Sequence, residues 1–164
     1  MSYMTDPGYP DQIVPLQEPQ PKPAPAGGAQ IRLRRLGARP LVFHGSELGM
    51  AMSFSPELPY WYEINLYRTT DQDFVLAVRL FHQSEEERDT VEAWRFASLA
   101  DAMDALESYD AARDVKVTVN PSDPTLSAAE LVAHAMDLRG RAEAARRHFS
   151  GLVGEFLHQM DAAA

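Results

Sequence analysis

The hydrophobic positions near the C-terminus recur every seven residues. They advance alternately by four and three, which is the spacing of a helix that buries one narrow, continuous stripe. Ser127 and Glu130 form a capping-box sequence at its start. The pattern predicts one long helix over about residues 126–160, with this heptad stripe along it: Leu131, Ala135, Leu138, Ala142, Ala145, Phe149, Leu152 and Phe156.

Earlier in the chain, hydrophobic and polar residues alternate with a period of two, which is typical of strands with one buried face. The alternating runs cover residues 48–54, 60–68, 74–81 and 91–96, and shorter apolar runs lie at 31–33 and 41–43. Gly45-Ser46 predicts a turn, and the polar residues 69–73 predict a hairpin loop. Val115, Val117 and Val119 predict a last short strand.

A short amphipathic helix is predicted between the strands and the long helix. Ser98 is a favourable N-cap residue, and Asp101 follows it by three positions. Its apolar residues recur at helical spacing and are expected to pack on the sheet. The fold class is therefore α+β: an antiparallel sheet of four or five strands, one short amphipathic helix and one long C-terminal helix.

The first residues differ in composition from the rest. Seven prolines fall within residues 1–25, and Gly27-Gly28 follows them. Proline removes backbone donors, and the segment has few apolar groups to offset the entropy of ordering. Residues 1–29 are therefore predicted to be a disordered Pro-rich tail, and residues 30–164 a single α+β domain.

Composition excludes some chemistry. The 164 residues include no cysteine, so disulfides, thiolate metal sites and thiol nucleophiles are excluded. No stretch of the sequence has the pattern of a secretory signal or of a membrane span, so we expect a cytoplasmic protein. The net charge of −9 opposes non-specific binding to nucleic acid.

The sequence offers no catalytic, cofactor or metal motif. No two of its five histidines are spaced by four residues, and no phosphate-binding glycine loop or G-x-S-x-G motif occurs. We therefore expect a protein that is not an enzyme and that needs no cofactor. An aromatic sheet face with Trp61, Tyr67 and Phe81 is a candidate for stacking bases, but we expect the long helix to cover it.

The residues beside the heptad stripe favour a function in protein interaction. Basic side chains predominate there, so pairing with a second copy brings like charges together. We expect an acidic or apolar partner surface, supplied by another protein, by a second copy or by the chain's own Asp101, Asp104 and Glu107. The first half of the helix is expected to close the domain, and the second half to contact a partner. The predicted interaction residues are Arg139, Arg141, Arg146, Phe149, Leu152 and Phe156.

Two alternative functions remain open. The first is nucleic-acid binding through the helix arginines and through Arg32, Arg34, Arg35 and Arg39. The second is an acidic inhibitor that imitates nucleic acid. For this the chain offers residues 84–114, which hold ten acidic residues against three arginines.

Overall fold

The computed structural model describes residues 27–163, with side chains to residue 162, so most of the predicted tail lies outside the described residues. Five antiparallel strands follow one another in both sequence and space. They are β1 (Ala29–Arg35), β2 (Ala38–Met52), β3 (Tyr60–Thr69), β4 (Phe74–His82) and β5 (Thr90–Phe96). The α+β fold class and the upper strand count are confirmed.

The sheet curls, so that its first and last strands approach each other. The Leu36 N–H, just after β1, donates a hydrogen bond to the Val91 carbonyl of β5 at 3.2 Å. The inside of the curl is filled by a small apolar cluster with Leu33, Phe43 and Val75 among its members. Curling therefore buries part of the sheet face that carries no helix.

The turn predicted at Gly45-Ser46 is wrong, because β2 runs through it without a break. A Cβ atom on Gly45 would collide with the Arg68 carbonyl oxygen of β3. Gly45 therefore allows two strands to approach closely rather than reverse the chain. The register of β2 against β3 shifts later, between Glu47 and Gly49.

Helices follow the sheet: α1 (Leu99–Glu107), a short 3₁₀ helix (Ala111–Asp114) and α2 (Ala128–Ala163). The predicted N-cap of α1 is confirmed, since the Ser98 side chain accepts from the Asp101 N–H. α2 has 36 residues without interruption, which makes it about 54 Å long. The strand predicted at residues 115–119 is wrong, because this segment pairs with no strand of the described sheet.

The main core lies between the sheet and the helices. Tyr62, Ile64 and Leu66 of β3 face α2, as the period-two pattern predicts. Trp61 and Tyr67 point to the opposite face, so the expectation that α2 covers them is wrong. Trp61 stacks on Phe81 with ring centroids 5.4 Å apart, and Tyr67 is buried inside the curl.

Candidate interaction surface

α2 begins with the predicted capping box. The Glu130 N–H donates to Ser127 Oγ at 3.2 Å, and the Ser127 N–H donates to Glu130 Oε2 at 2.8 Å. These bonds satisfy backbone donors that a helix start otherwise leaves unpaired. The hydrogen bonds from Ser127 hold the pKa of Glu130 below its usual range. The start of the helix is thus fixed by its own sequence, independently of the sheet.

The second half of α2 lies in the core of its own domain. Phe156 is fully buried, and Phe149 and Leu152 are almost so. Phe149 contacts Tyr62 of β3 edge-on, with ring centroids 5.0 Å apart. The expectation that Phe149, Leu152 and Phe156 offer a surface to a partner is therefore wrong, because these side chains cover the sheet.

A polar cluster holds the 3₁₀ helix under this part of α2. The Tyr62 and Tyr109 hydroxyls both donate to Asp114 Oδ2, at 2.8 and 2.9 Å. Burial, and secondarily the Asp114 carboxylate, raises the pKa of both tyrosines well above the usual value. Phe149 packs on Tyr109 as well, with ring centroids 4.8 Å apart. The cluster thus joins β3, the 3₁₀ helix and α2.

The first half of α2 is the exposed half. Val132 and Met136 are 60% and 71% exposed, and they lie four residues apart on one side of the helix. The heptad stripe itself has only a partial cover here: Leu131 and Leu138 line an open groove of about 190 Å³. The groove's other wall is the irregular segment 117–121. Residues 128–143 of α2 are called the free half below.

The arginines beside the stripe are paired within the chain. Arg139 binds Glu143 and Arg141 binds Asp137, each through an Nε donor 2.9 Å from a carboxylate oxygen. Arg141 also donates to the Lys116 carbonyl at 3.0 Å. The acidic partners of Arg139 and Arg141 therefore lie on the same helix, and not among the predicted α1 acids.

Arg146 makes a bidentate ion pair with Asp110. Its Nε and Nη2 atoms donate to the two carboxylate oxygens of Asp110, each at 2.8 Å. Chiefly through this hydrogen bonding, Arg146 lowers the pKa of Asp110 to about 2. Arg146 thus ties α2 to the start of the 3₁₀ helix. Its guanidinium is engaged in the fold, which weakens its case as a contact for an acidic partner.

A serine–histidine pair, missed in the sequence, lies where β2 meets α2. His148 Nε2 is 2.8 Å from Ser53 Oγ, and burial lowers the pKa of His148. The Ser53 hydroxyl already accepts from the Tyr62 N–H at 2.8 Å. Ser53 and His148 are 95 positions apart, so no sequence spacing indicates this contact. Among the described residues, no carboxylate binds this histidine.

The charged side chains on which the two alternative functions depend are partly paired within the fold. Arg32 and Arg34 are exposed on β1, whereas Arg35 donates to the Arg39 carbonyl at 2.8 Å. In the acidic stretch, Glu92 binds Arg113, and Glu87 binds both His82 and Lys116. With Asp110 and Asp114 engaged as described above, several carboxylates of residues 84–114 are occupied within the fold.

No protein-family model, curated protein or solved structure matches this chain. Within residues 27–163, no cluster of three or more His, Asp or Glu side chains is arranged to hold a metal ion. None of the helices in that range combines the length and apolarity needed to cross a membrane. Arguments about function therefore rest on the geometry of the surfaces.

Proposed function

We propose that the protein is a non-enzymatic interaction module that binds another protein through the free half of α2. The observation that carries this proposal is the pair of large apolar side chains at Val132 and Met136, which lie exposed on a capped, continuous helix. Water contact with such side chains is unfavourable, at about 25 cal/mol per Å² of apolar surface, so a partner that covers them gains stability.

The charge distribution favours an apolar partner surface over an acidic one. Arg139 and Arg141 already have carboxylate partners on α2. A partner carboxylate has to compete with these bonds, whereas an apolar groove has no such competitor at Val132 and Met136. An amphipathic helix that lays its apolar side into a groove is a common mode of protein recognition.

The Ser53–His148 pair supports a structural role more than a catalytic one. A nucleophilic serine needs a histidine that is oriented by a third group. Ser53 lies one residue beyond the end of β2. Its hydroxyl accepts a hydrogen bond from the Tyr62 N–H, which extends the pairing of β2 with β3. The pair therefore fastens α2 to the sheet.

The proposal is tested with a photoreactive amino acid placed at position 132 or 136 of the full chain in its native host. Exposed His158, on the buried half of the same helix, gives a matched control position. We expect the same covalent protein adduct from positions 132 and 136 and none from position 158. The adduct should be lost when the other apolar residue is changed to Glu, for example Met136→Glu with the probe at 132. Equal labelling at all three positions, or none, contradicts the proposal.

A further inference from the structure

β2 has an unpaired edge segment, apart from the outer edges of β1 and β5, which approach each other at Leu36 and Val91. β1 pairs with β2 only as far as Gly45, opposite Ala29. β2 continues through Ser46–Met52, where it pairs with β3 on one side. Among residues 27–163, no backbone group pairs with the other side of this segment. This side of Ser46–Met52 is called the β2 edge below.

The β2 edge carries one charge, Glu47, and otherwise lacks the charges that normally protect free edges. Exposed edges are usually guarded by charged side chains or proline, because their unpaired N–H and C=O groups attract other strands. β1 carries Arg32, Arg34 and Arg35, and β5 carries Glu92 and Arg95. In contrast, residues 48–54 of the chain, Leu-Gly-Met-Ala-Met-Ser-Phe, contain neither charge nor proline.

The side chains along this edge are also exposed and apolar. Met50 and Met52 are each 45% exposed, and Leu48 and Phe54 are exposed too. The one charged residue of the edge, Glu47, accepts a hydrogen bond from the buried Asn65 amide at 2.9 Å. Its carboxylate is thus held by the neighbouring strand β3.

We infer that the β2 edge pairs with the β2 edge of a second copy, antiparallel and about a two-fold axis, to form one continuous ten-stranded sheet. A two-fold axis at Met50 places each Met50 opposite its counterpart and Gly49 opposite Ala51, on the Met52 side of the register shift between Glu47 and Gly49. Glu47 lies beyond this shift, toward the uncharged Ser53–Phe54 end of the second copy, so the pairing brings no like charges together. The edge is in this sense its own complement.

The helix-facing side of the edge is already covered by α2. Gly49 and Ala51 point toward α2, where a Cβ on Gly49 would meet Met160 and Phe156. Small residues therefore occupy the side under α2, while the larger Leu48 and Met50 are exposed. The pairing satisfies backbone groups as well as covering apolar area, as in other complexes formed by strand addition.

The oligomeric state in solution tests the inference. Sedimentation equilibrium of the full chain should give twice the monomer mass in a concentration-dependent manner. Met50→Glu places two carboxylates opposite each other at the axis, and like charges directly opposite destabilise strand pairs. We expect this variant to be monomeric with an unchanged circular dichroism spectrum. The matched control Met136→Glu, on the free half of α2, should remain dimeric.

Cysteine cross-linking gives a second, independent measurement, because the chain has no native cysteine. Met50→Cys should form an intermolecular disulfide on mild oxidation, since directly opposed residues lie within disulfide distance. Val42→Cys is exposed on the same strand but beside β1, and it should cross-link at least tenfold more slowly.

Three results overturn the inference. These are a single-chain mass at every concentration, a dimer lost with Met136→Glu but kept with Met50→Glu, and equal cross-linking of Met50→Cys and Val42→Cys. The second result would show that the copies meet through α2 instead. The photo-cross-linking described above does not depend on this dimer, so the two proposals fail separately.

Discussion

Phe149 on α2 lies edge-on against Tyr62 on β3, and the same tyrosine donates its hydroxyl proton to Asp114. One side chain of the sheet therefore contacts the helix through its ring and the 3₁₀ helix through its hydroxyl. This arrangement makes the second half of α2 a structural part of the domain and leaves the first half available for other contacts.

Phe156→Ala should destabilise the fold far more than Leu138→Ala. Removing a fully buried phenylalanine costs about 3–5 kcal/mol, whereas Leu138 is only half-buried and its loss should cost about 1 kcal/mol. Urea unfolding followed by circular dichroism measures both values. This order is the reverse of the one expected from the heptad stripe. Similar losses for the two variants would mean that the free half is held as firmly as the buried half.

Asp114→Ala should destabilise the protein by about 2 kcal/mol or more. The substitution leaves the hydroxyls of Tyr62 and Tyr109 without their shared acceptor, and a buried unsatisfied hydroxyl costs about 1–3 kcal/mol. Tyr109→Phe removes only one of the two donors and is the matched control, with a smaller loss. If Tyr109→Phe is as damaging as Asp114→Ala, the carboxylate is not what holds the cluster together.

Alkaline titration should detect the hydrogen bonds of Tyr62 and Tyr109 to Asp114 as a loss of stability above about pH 10. The pKa of Tyr62 and of Tyr109 is raised in the folded state, so the unfolded chain, with tyrosine pKa values of about 10, loses these protons first. The stability that the two hydroxyls contribute is therefore present below pH 10 and lost as the pH rises further. Tyrosinate absorbance should show these two groups ionising together with unfolding. Their ionisation in a protein that keeps its native circular dichroism would contradict this prediction.

Acidification below neutrality should weaken the attachment of α2 through His148. Burial lowers the pKa of His148 in the folded state, whereas the unfolded value is about 6.5. The unfolded state therefore binds more protons as the pH falls below 6.5, and the free energy of unfolding decreases until the folded-state pKa is passed. Thermal melts of the wild type between about pH 7.5 and pH 5, which brackets the histidine value, should show this slope. His148→Gln should flatten it, and His158→Gln, at an exposed position on the same helix, should not.

Nucleic-acid binding should be undetectable at physiological salt. The net charge is −9, and Arg139, Arg141 and Arg146 are paired with carboxylates in the fold. Fluorescence anisotropy with a labelled duplex and a labelled single strand checks this. A sub-micromolar complex whose affinity falls by roughly one log unit per log unit of salt for each phosphate contact would favour the alternative function.

The sequence predicts which helices and strands form better than it predicts which of them pack against each other. Period-two alternation correctly assigns Tyr62, Ile64 and Leu66 to one face of β3, because alternation is a property of the strand alone. Gly45 misleads because a glycine is favoured both in turns and where two strands come close, and only the position of Arg68 distinguishes the two.

The same limit explains the error about α2. A heptad repeat identifies the side of a helix that faces a neighbour, but it is equally regular whether that neighbour is a sheet or an open groove. Residue size carried a usable signal: the aromatic Phe149 and Phe156 mark the half that fills the core, while the stripe of the free half holds only leucine and alanine. The Arg146–Asp110 pair could not be predicted from the sequence, because 36 positions separate the two residues.

The position of the buried half of α2 also determines the order in which the fold can be completed. All five strands precede Phe149 and Phe156 in the chain. During synthesis from the N-terminus, the part of the sheet that α2 covers, on β2 and β3, therefore remains uncovered until these two residues have been added. A nascent chain in that interval exposes Tyr62, Ile64 and Leu66 to water and to other chains, so the last helix ends the period in which aggregation is most favourable.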